Sequence, residues 1–382
     1  MLTTDFLFAC TGKKASSLGY GCLRFPTTKD GKIDRERTNQ LIDTAMKGGI
    51  NYFDTGVRYH NGESESYLGE ILPNYPRESF LLTTKLPPWF LKTREDAARI
   101  FNDSLVKCNV DYFDVYMIHA MSRLYWPAVK ETGTLDFLTE LKKQGKARYI
   151  GFSFHGDINN LHEVLDAYDW DVVQLQINYL DVQAIGAQAF YDELVKRNIP
   201  CIAMEPLRGG FLSNPPEAAR HELEAVNKNS PANWGMRWCM EQKNIKIILS
   251  GMNNMDVLLE NLATFSEYRP FTSEENAAIL RAREKTLAIK TIPCSGCHYC
   301  MDCSSGVDIP RMFDIYNRYK MFRDAIRAAE DLKDLDSEHN ADACTRCGRC
   351  VPHCPQNIEI PDQIAKIMAE VRSAAPNQFI SA

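Results

Sequence analysis

From Asp34 to Phe265 the chain alternates two hydrophobic rhythms. Segments with apolar residues three and four apart predict helices, and the short continuous apolar runs between them predict buried strands. A helix over Asp34–Lys47, with Asp34 as its N-cap, leads to a strand at Ile50–Phe53. Helix Glu63–Leu72 leads to strand Phe80–Thr84, and helix Arg94–Lys107 to strand Phe113–Ile118. Gly133–Gln144 precedes strand Ala147–Phe152, Ile158–Tyr168 precedes Val172–Leu175, and Ala184–Arg197 precedes Cys201–Met204. After a Gly/Pro-rich loop at Glu205–Pro216, helix Pro231–Gln242 leads to strand Ile245–Leu249, and helix Met255–Phe265 closes the series. With an opening strand near Ser17–Gly21, that makes eight strand–helix units. Strands alternating with helices imply a parallel sheet. Eight units in roughly 250 residues suit a closed (β/α)8 TIM barrel, an α/β fold. An open doubly wound sheet is the alternative. Charged helices at Thr272–Leu287 and Met312–Leu332 follow, and the polar stretch Asp331–Ala343 reads as a linker.

Gly19-Tyr20-Gly21 is not a dinucleotide fingerprint: Arg24 stands at the third glycine position and no helix follows at once. Of 382 residues, 45% are hydrophobic and 25% charged, ordinary values for a globular protein. A net charge of −6 argues against a nucleic-acid partner. No apolar run reaches membrane-spanning length. The first residues lack a basic region before their brief apolar run, so we expect no signal peptide and a cytoplasmic protein. Five of the 13 cysteines are scattered: Cys10, Cys22, Cys108, Cys201 and Cys239, read as small core residues. The other eight fall between Cys294 and Cys354. That change places a domain boundary near Ile289–Pro293, dividing the chain into residues 1–289 and 290–382.

In a barrel, residues at successive strand ends share one face. Strand two ends at Asp54, with Tyr59 in the loop beyond; strand three ends at Lys85 and strand four at His119. Each alone has an ordinary explanation, as a capping aspartate, a surface tyrosine or lysine, or a core histidine. Together they make a general acid. A lysine ammonium favours the phenolate of a nearby tyrosine, an aspartate keeps the lysine charged and aimed, and a histidine can hydrogen-bond a carbonyl. The missing hydride must come from a cofactor.

The segments FDTGVRYHNGESESYLG, TTKLP and YMIHAM resemble the aldo-keto reductase superfamily, over about Ser17 to Leu262. The resemblance implies NAD(P)H-dependent reduction of a small-molecule carbonyl substrate. Tyr59 would be the proton donor, Lys85 and Asp54 would tune it, and His119 would orient the carbonyl. It also implies that Ser153 and Gln174 hold the nicotinamide carboxamide. Leu207 and Gly209 would belong to the pyrophosphate loop, and Ser250, Gly251, Asn253 and Asn261 to the adenosine-phosphate region. Trp89, Tyr125 and Trp126 are expected to wall the substrate pocket or pack the hinges of their loops. Phe154 stands where the family commonly has asparagine, and Met204 where many members stack an aromatic ring. The Ser250–Asp256 loop holds no Arg or Lys to read a 2′-phosphate, so NAD against NADP stays open.

The second cysteine run, Cys344-x2-Cys347-x2-Cys350-x3-Cys354-Pro355, has bacterial ferredoxin spacing. The first, Cys294-x2-Cys297-x2-Cys300-x2-Cys303, is one residue shorter before its fourth cysteine. The pair resembles the two-[4Fe-4S] ferredoxin fold, whose fourth cysteines cross over. It implies one cluster on Cys294, Cys297, Cys300 and Cys354, and another on Cys344, Cys347, Cys350 and Cys303. Zinc favours paired knuckles over four cysteines in one short run, and disulfides do not suit a chain without an export signal. Cys294-x-x-Cys297-His298 also satisfies a haem c attachment motif, but inside a longer cysteine ladder. The whole chain resembles the subset of aldo-keto reductases with a C-terminal, mostly helical ferredoxin-like domain. Nicotinamide gives two electrons together and each cluster takes one, and no flavin motif bridges them. Two expectations follow. Either the barrel reduces carbonyls and the clusters are structural or regulatory, or the protein transfers electrons, with room for a redox partner protein. Neither the pattern nor the motifs speak to oligomeric state.

Overall fold

The computed structural model describes residues 1–7, 12, 14–335 and 339–378. Eight strands form a closed parallel barrel in chain order: β1 (Leu18–Gly21), β2 (Tyr52–Asp54), β3 (Leu81–Leu86), β4 (Phe113–Met121), β5 (Ala147–Phe154), β6 (Val172–Gln176), β7 (Cys201–Met204) and β8 (Ile245–Ser250). Closure comes where β8 lies beside β1, with Ile248 opposite Leu18 and Ser250 opposite Tyr20. The open doubly wound alternative is thereby excluded. A short antiparallel ribbon, Thr3–Thr4 with Ala15–Ser16, precedes the barrel and was not foreseen from the sequence.

Local chemistry accounts for the intervening helices. In α1 (Arg35–Lys47), Asp34 accepts the Arg37 N–H at 3.2 Å, and Thr38, Leu41, Ile42 and Ala45 bury one stripe. Helix α2 is Glu63–Ile71, and α3, Arg94–Cys108, opens on a reciprocal Thr93/Asp96 capping box. Then follow α4 (Thr134–Lys143), α5 (Ile158–Asp166), α6 (Ala187–Lys196), α7 (Glu217–Glu224), α8 (Pro231–Glu241), α9 (Met255–Ser266) and α10 (Ser273–Leu287). Sequence periodicity did not foretell α7. All nine residues of β4 are buried, as expected of a strand covered on both faces. Tyr52, Leu81, Val115, Met117, Val172, Ile202 and Ile247 share one core cluster with Leu7 and Ala15, and Met204 packs against it. A barrel filled this way leaves the strands' C-terminal ends for chemistry.

Two compact units divide the chain: Met1–Pro206 with Gly235–Phe271, and Leu207–Trp234 with Thr272–Ala382. All barrel strands belong to the first unit. In the second, α7 meets α10 through Glu222 and Arg281 at 2.7 Å, and Asn227, in the loop after α7, donates to Glu275 at 2.9 Å. Its hydrophobic core comes from α11 (Ile309–Phe322), α12 (Ala325–Lys333) and α13 (Ile360–Ala374), with Phe313, Ala329, Ile367 and Val371 buried.

The single helix expected over Met312–Leu332 is two helices. Arg323 takes a left-handed φ of 61° and ends α11, and the Asp324 carboxylate accepts the Arg327 N–H to start α12. The stretch read as a linker overlaps the end of α12 at Asp331–Lys333, and residues 336–338 lie outside the described set. Cys22, Cys108, Cys201 and Cys239 are fully buried, as expected of core cysteines, while Cys10 lies outside the described residues. No helix among the described residues is long and apolar enough to cross a membrane.

Candidate active site and cysteine cavities

At the ends of β2, β3 and β4, buried polar groups converge. Asp54 is the last residue of β2, Lys85 the penultimate residue of β3, and His119 lies inside β4. The strands therefore carry these residues as part of the sheet, not just beyond it. The Lys85 ammonium is wholly inaccessible, and it donates to Asp54 Oδ1 at 2.5 Å, the Thr55 carbonyl at 2.7 Å and Tyr59 Oη at 3.1 Å. Tyr59 opens a tight turn, Tyr59–Gly62, in which His60 and Asn61 both adopt positive φ. The Phe25 N–H, donating to His60 Nε2 at 3.0 Å, helps hold that turn. The Tyr59 and His119 rings meet edge-on, with centroids 5.7 Å apart.

Burial pushes the Asp54 carboxyl above its ordinary range, and the Lys85 ammonium opposes that shift. Burial also holds the His119 imidazole well below its ordinary value, and the positive charges of Lys85, His155 and Arg58 act in the same direction. A neutral imidazole is the result. Arg58 and His155 were not singled out from the sequence; adjacency to Tyr59 was the available signal for Arg58. The Trp89 ring meets His119 at 5.3 Å and Tyr125 at 5.6 Å. Trp126, in contrast, is buried at the start of the helical turn Trp126–Glu131, beneath Lys130.

The cofactor candidates separate. Ser153 and Gln174 are opposite each other on β5 and β6. The Gln174 amide oxygen is buried with no hydrogen-bond partner among the described residues, which suits an incoming carboxamide N–H. Ser153 Oγ accepts the Ala120 N–H at 2.8 Å, beside His119, where β4 slips register and Ala120 takes a φ of 49°. Phe154, in the family's asparagine position, packs edge-on to Phe152 and Phe190. Ser250 accepts from the Asn261 amide at 2.9 Å, and both residues are buried. Asn253 accepts from the Asn254 amide, and Asn254 caps α9 through the Val257 N–H. A Cβ on Gly251 would lie 2.9 Å from Arg24 Cβ, so the Arg24 side chain, from the segment after β1, packs against the start of the Ser250–Asp256 loop. The Arg24 guanidinium lies 3.7 Å from the Glu205 carboxylate. Leu207 and Gly209 belong to the second compact unit, in a turn where Arg208, Gly209 and Gly210 all have positive φ.

The eight clustered cysteines fall into two sets. Cys294, Cys297, Cys300 and Cys354 line one small cavity, together with Ser295, His298, Pro310 and Phe313. Cys303, Cys344, Cys347 and Cys350 line another, with Val307, Arg346, Arg349 and Ile364. Burial pushes the Cys300 and Cys354 thiols up, and the neighbouring Cys297 and Cys294 push Cys300 further. Cys347 is shifted down by the Arg349 backbone N–H and side chain. Among the described residues no three cysteine, histidine or acidic side chains are grouped to hold a single metal ion. Four sulfurs spread around a cavity suit a larger cationic iron–sulfur core, which offsets their mutual repulsion as thiolates.

The profile of the Aldo/keto reductase family matches residues 17–284, most of the chain. The chain belongs to the aldo/keto reductase family. A 4Fe-4S dicluster domain profile matches residues 293–359. The chain is 25% identical over 287 residues to L-galactose dehydrogenase of Arabidopsis thaliana, covering 67% of this chain and 86% of the relative. It is 29% identical over 201 residues to the NADH-specific methylglyoxal reductase of Escherichia coli, covering 47% of this chain and 58% of that one. Among solved structures, a thermostable aldo-keto reductase in complex with epalrestat superposes with a TM-score of 0.62 at 26% identity, over 74% of this chain and 100% of the other. The family membership makes this chain an aldo-keto reductase-type oxidoreductase with an appended iron–sulfur dicluster domain.

Proposed function

We propose that this aldo-keto reductase reduces a small aldehyde or ketone with NAD(P)H, using Tyr59 as general acid. One observation carries the reading: a buried lysine ammonium bonds the Asp54 carboxylate and the Tyr59 hydroxyl at once, at 2.5 and 3.1 Å. When bound, the reduced nicotinamide supplies the hydride to the carbonyl carbon. Tyr59 gives its proton to the carbonyl oxygen, and Lys85 stabilises the phenolate left behind. Asp54 holds the ammonium in place, and neutral His119 hydrogen-bonds the substrate oxygen. Trp89 and Tyr125 bound the space beside His119, which favours a small substrate.

Ser153 and Gln174 would hold the carboxamide. Leu207 and Gly209 would contact the pyrophosphate, and Ser250, Gly251, Asn253 and Asn261 the adenosine phosphates. Each four-cysteine set would hold one [4Fe-4S] cluster, with residues 1–289 as the reductase part and 290–382 as the cluster part. The methylglyoxal reductase among the relatives makes methylglyoxal with NADH the first pair to test. Transfer of deuterium from C4-deuterated NADH or NADPH to the product's carbinol carbon, under anoxia, would support the reading. Oxidation of the nucleotide with no deuterated alcohol, whatever the carbonyl, would overturn it.

The two complete cysteine sets favour a second reading, one-electron transfer, for which the barrel would serve only to bind nucleotide or a partner. Cluster reduction by NAD(P)H alone, without mediator or carbonyl, distinguishes it.

A further inference from the structure

We infer that the first iron–sulfur cluster holds the nucleotide's pyrophosphate loop in its binding shape, so that nucleotide affinity depends on that cluster and not on the second. The inference rests on reading the Leu207–Ser213 turn as the pyrophosphate loop. The loop and the cysteine cavities belong to the same compact unit. Its backbone is left-handed at three consecutive residues: Arg208 at φ 50°, Gly209 at 66° and Gly210 at 97°. Within it the Gly210 and Leu212 N–H groups donate to the Leu207 carbonyl at 3.0 Å, and the Arg208 guanidinium lies over the Phe211 ring. Left-handed conformations at consecutive residues persist where the surrounding structure holds them.

Here Ser295 is part of that surrounding structure. A Cβ placed on Gly209 would lie 2.4 Å from the Ser295 carbonyl oxygen and 3.0 Å from its carbonyl carbon, so the two backbones touch with no room for a side chain. Gly210, the next residue, has nothing within 4 Å of its added Cβ, and both glycines are exposed. The loop therefore rests one face on Ser295 and presents the other outward. Ser295 is itself 5% exposed, follows Cys294 directly, and lines the cavity formed by Cys294, Cys297, Cys300 and Cys354. One residue thus touches the loop with its carbonyl and borders the first cluster's cavity. The second cavity's lining, around Cys303 and Cys344, includes no residue of this contact.

A cluster bonded to Cys294 and Cys297 fixes the backbone between them, and with it the Ser295 carbonyl against Gly209. Without the cluster that segment loses its anchors and the left-handed turn loses its platform. The competing effect has the opposite sign. A thiolate-bound cluster carries negative charge, so removing it would strengthen binding of an anion nearby. The sign of the change therefore separates positioning from electrostatics. Coupling is reciprocal: whatever the cluster does for nucleotide affinity, nucleotide does for the cluster. No electron passes in this coupling.

The test uses ADP-ribose and its 2′-phosphate, which carry the pyrophosphate but no nicotinamide. Equilibrium dialysis under anoxia compares wild type with Cys297→Ser and Cys347→Ser, each checked for iron content and circular dichroism. We expect Cys297→Ser to bind at least about fivefold more weakly and Cys347→Ser to stay within about twofold of wild type. Equal affinity in Cys297→Ser, tighter binding there, or equal losses in both variants would overturn the inference. Gly209→Ala keeps every cysteine and decides the matter if Cys297→Ser does not fold or retains its iron. It should change the first cluster's EPR signal and leave the second's unaltered; an unaltered first signal overturns the inference. Failure of wild type to bind either nucleotide would instead sink the assignment of the loop, and the inference with it.

Discussion

Lys85 is an ammonium group with no access to water, held by one carboxylate, one carbonyl and one phenol. Removing it strands a buried carboxylate. Lys85→Met is expected to destabilise the fold by roughly 3–5 kcal/mol, read by chemical denaturation, and to lower turnover more than nucleotide affinity. An undiminished denaturation midpoint would contradict the buried pair. His119 carries a second consequence. Its native imidazole is held well below the ordinary value, chiefly by burial, whereas the unfolded residue titrates near 6.5. As pH falls below about 6.5, the unfolded chain takes up a proton that the native chain does not, so stability declines. His119→Gln should flatten the dependence of the denaturation midpoint between about pH 5 and 7; an unchanged slope would show that His119 titrates alike in both states. The residue types of this constellation were legible because the strand ends announced them. The neutrality of His119 was not, because Arg58 and His155 add to it from positions with no motif of their own.

At the scale of elements, the site depends on how β4 ends. The register slip between Ile118 and Met121, with Ala120 in the left-handed region, directs the backbone beside His119, and Ser153 on β5 ties it down. Ser153→Ala leaves the Ala120 N–H without that acceptor, a loss of about 1–3 kcal/mol. We expect kcat to fall together with stability, and Ser153→Thr to restore both in part; an unaffected kcat would confine Ser153 to holding the cofactor. Helix packing gives an independent check. A Cβ on Gly69 of α2 would lie 2.0 Å from the Lys107 carbonyl at the end of α3. Gly69→Ala should therefore destabilise by about 1–3 kcal/mol, and a midpoint equal to wild type would refute that close approach. Sequence periodicity located all eight strands and most helices because each buries a continuous run or stripe. It missed the β4 slip, which hydrogen bonding to a neighbouring strand sets, and it fused α11 with α12. There Phe322-Arg323-Asp324 keeps the hydrophobic rhythm while Arg323 turns left-handed. It also left α13 unread, a helix whose apolar stripe of Ile360, Ile364, Ile367 and Val371 packs beneath the cysteine cavities.

For the whole molecule, the fold and the family were the most legible features, since two local signals, strand-end residues and cysteine spacing, each stand out from composition. The grouping of Leu207–Trp234 with Thr272–Ala382 was not legible, because packing between α7 and α10 and the Gly209–Ser295 contact join segments far apart in sequence. The two cysteine sets predict about eight irons per chain, falling to about four in Cys297→Ser; an unreduced iron content would place Cys297 outside the ligand set. Whatever the clusters add, the proposed reduction rests on Tyr59 as its acid. It is tested most directly by anoxic steady-state oxidation of NADH and NADPH with methylglyoxal and a panel of small aldehydes and ketones, comparing wild type with Tyr59→Phe at matched iron content and nucleotide affinity. We expect wild type to turn over at least one carbonyl and Tyr59→Phe to lose about 10²–10⁴-fold in kcat while binding nucleotide normally. Equal turnover by the two proteins, or none with any carbonyl by wild type that retains both clusters, would contradict the assignment.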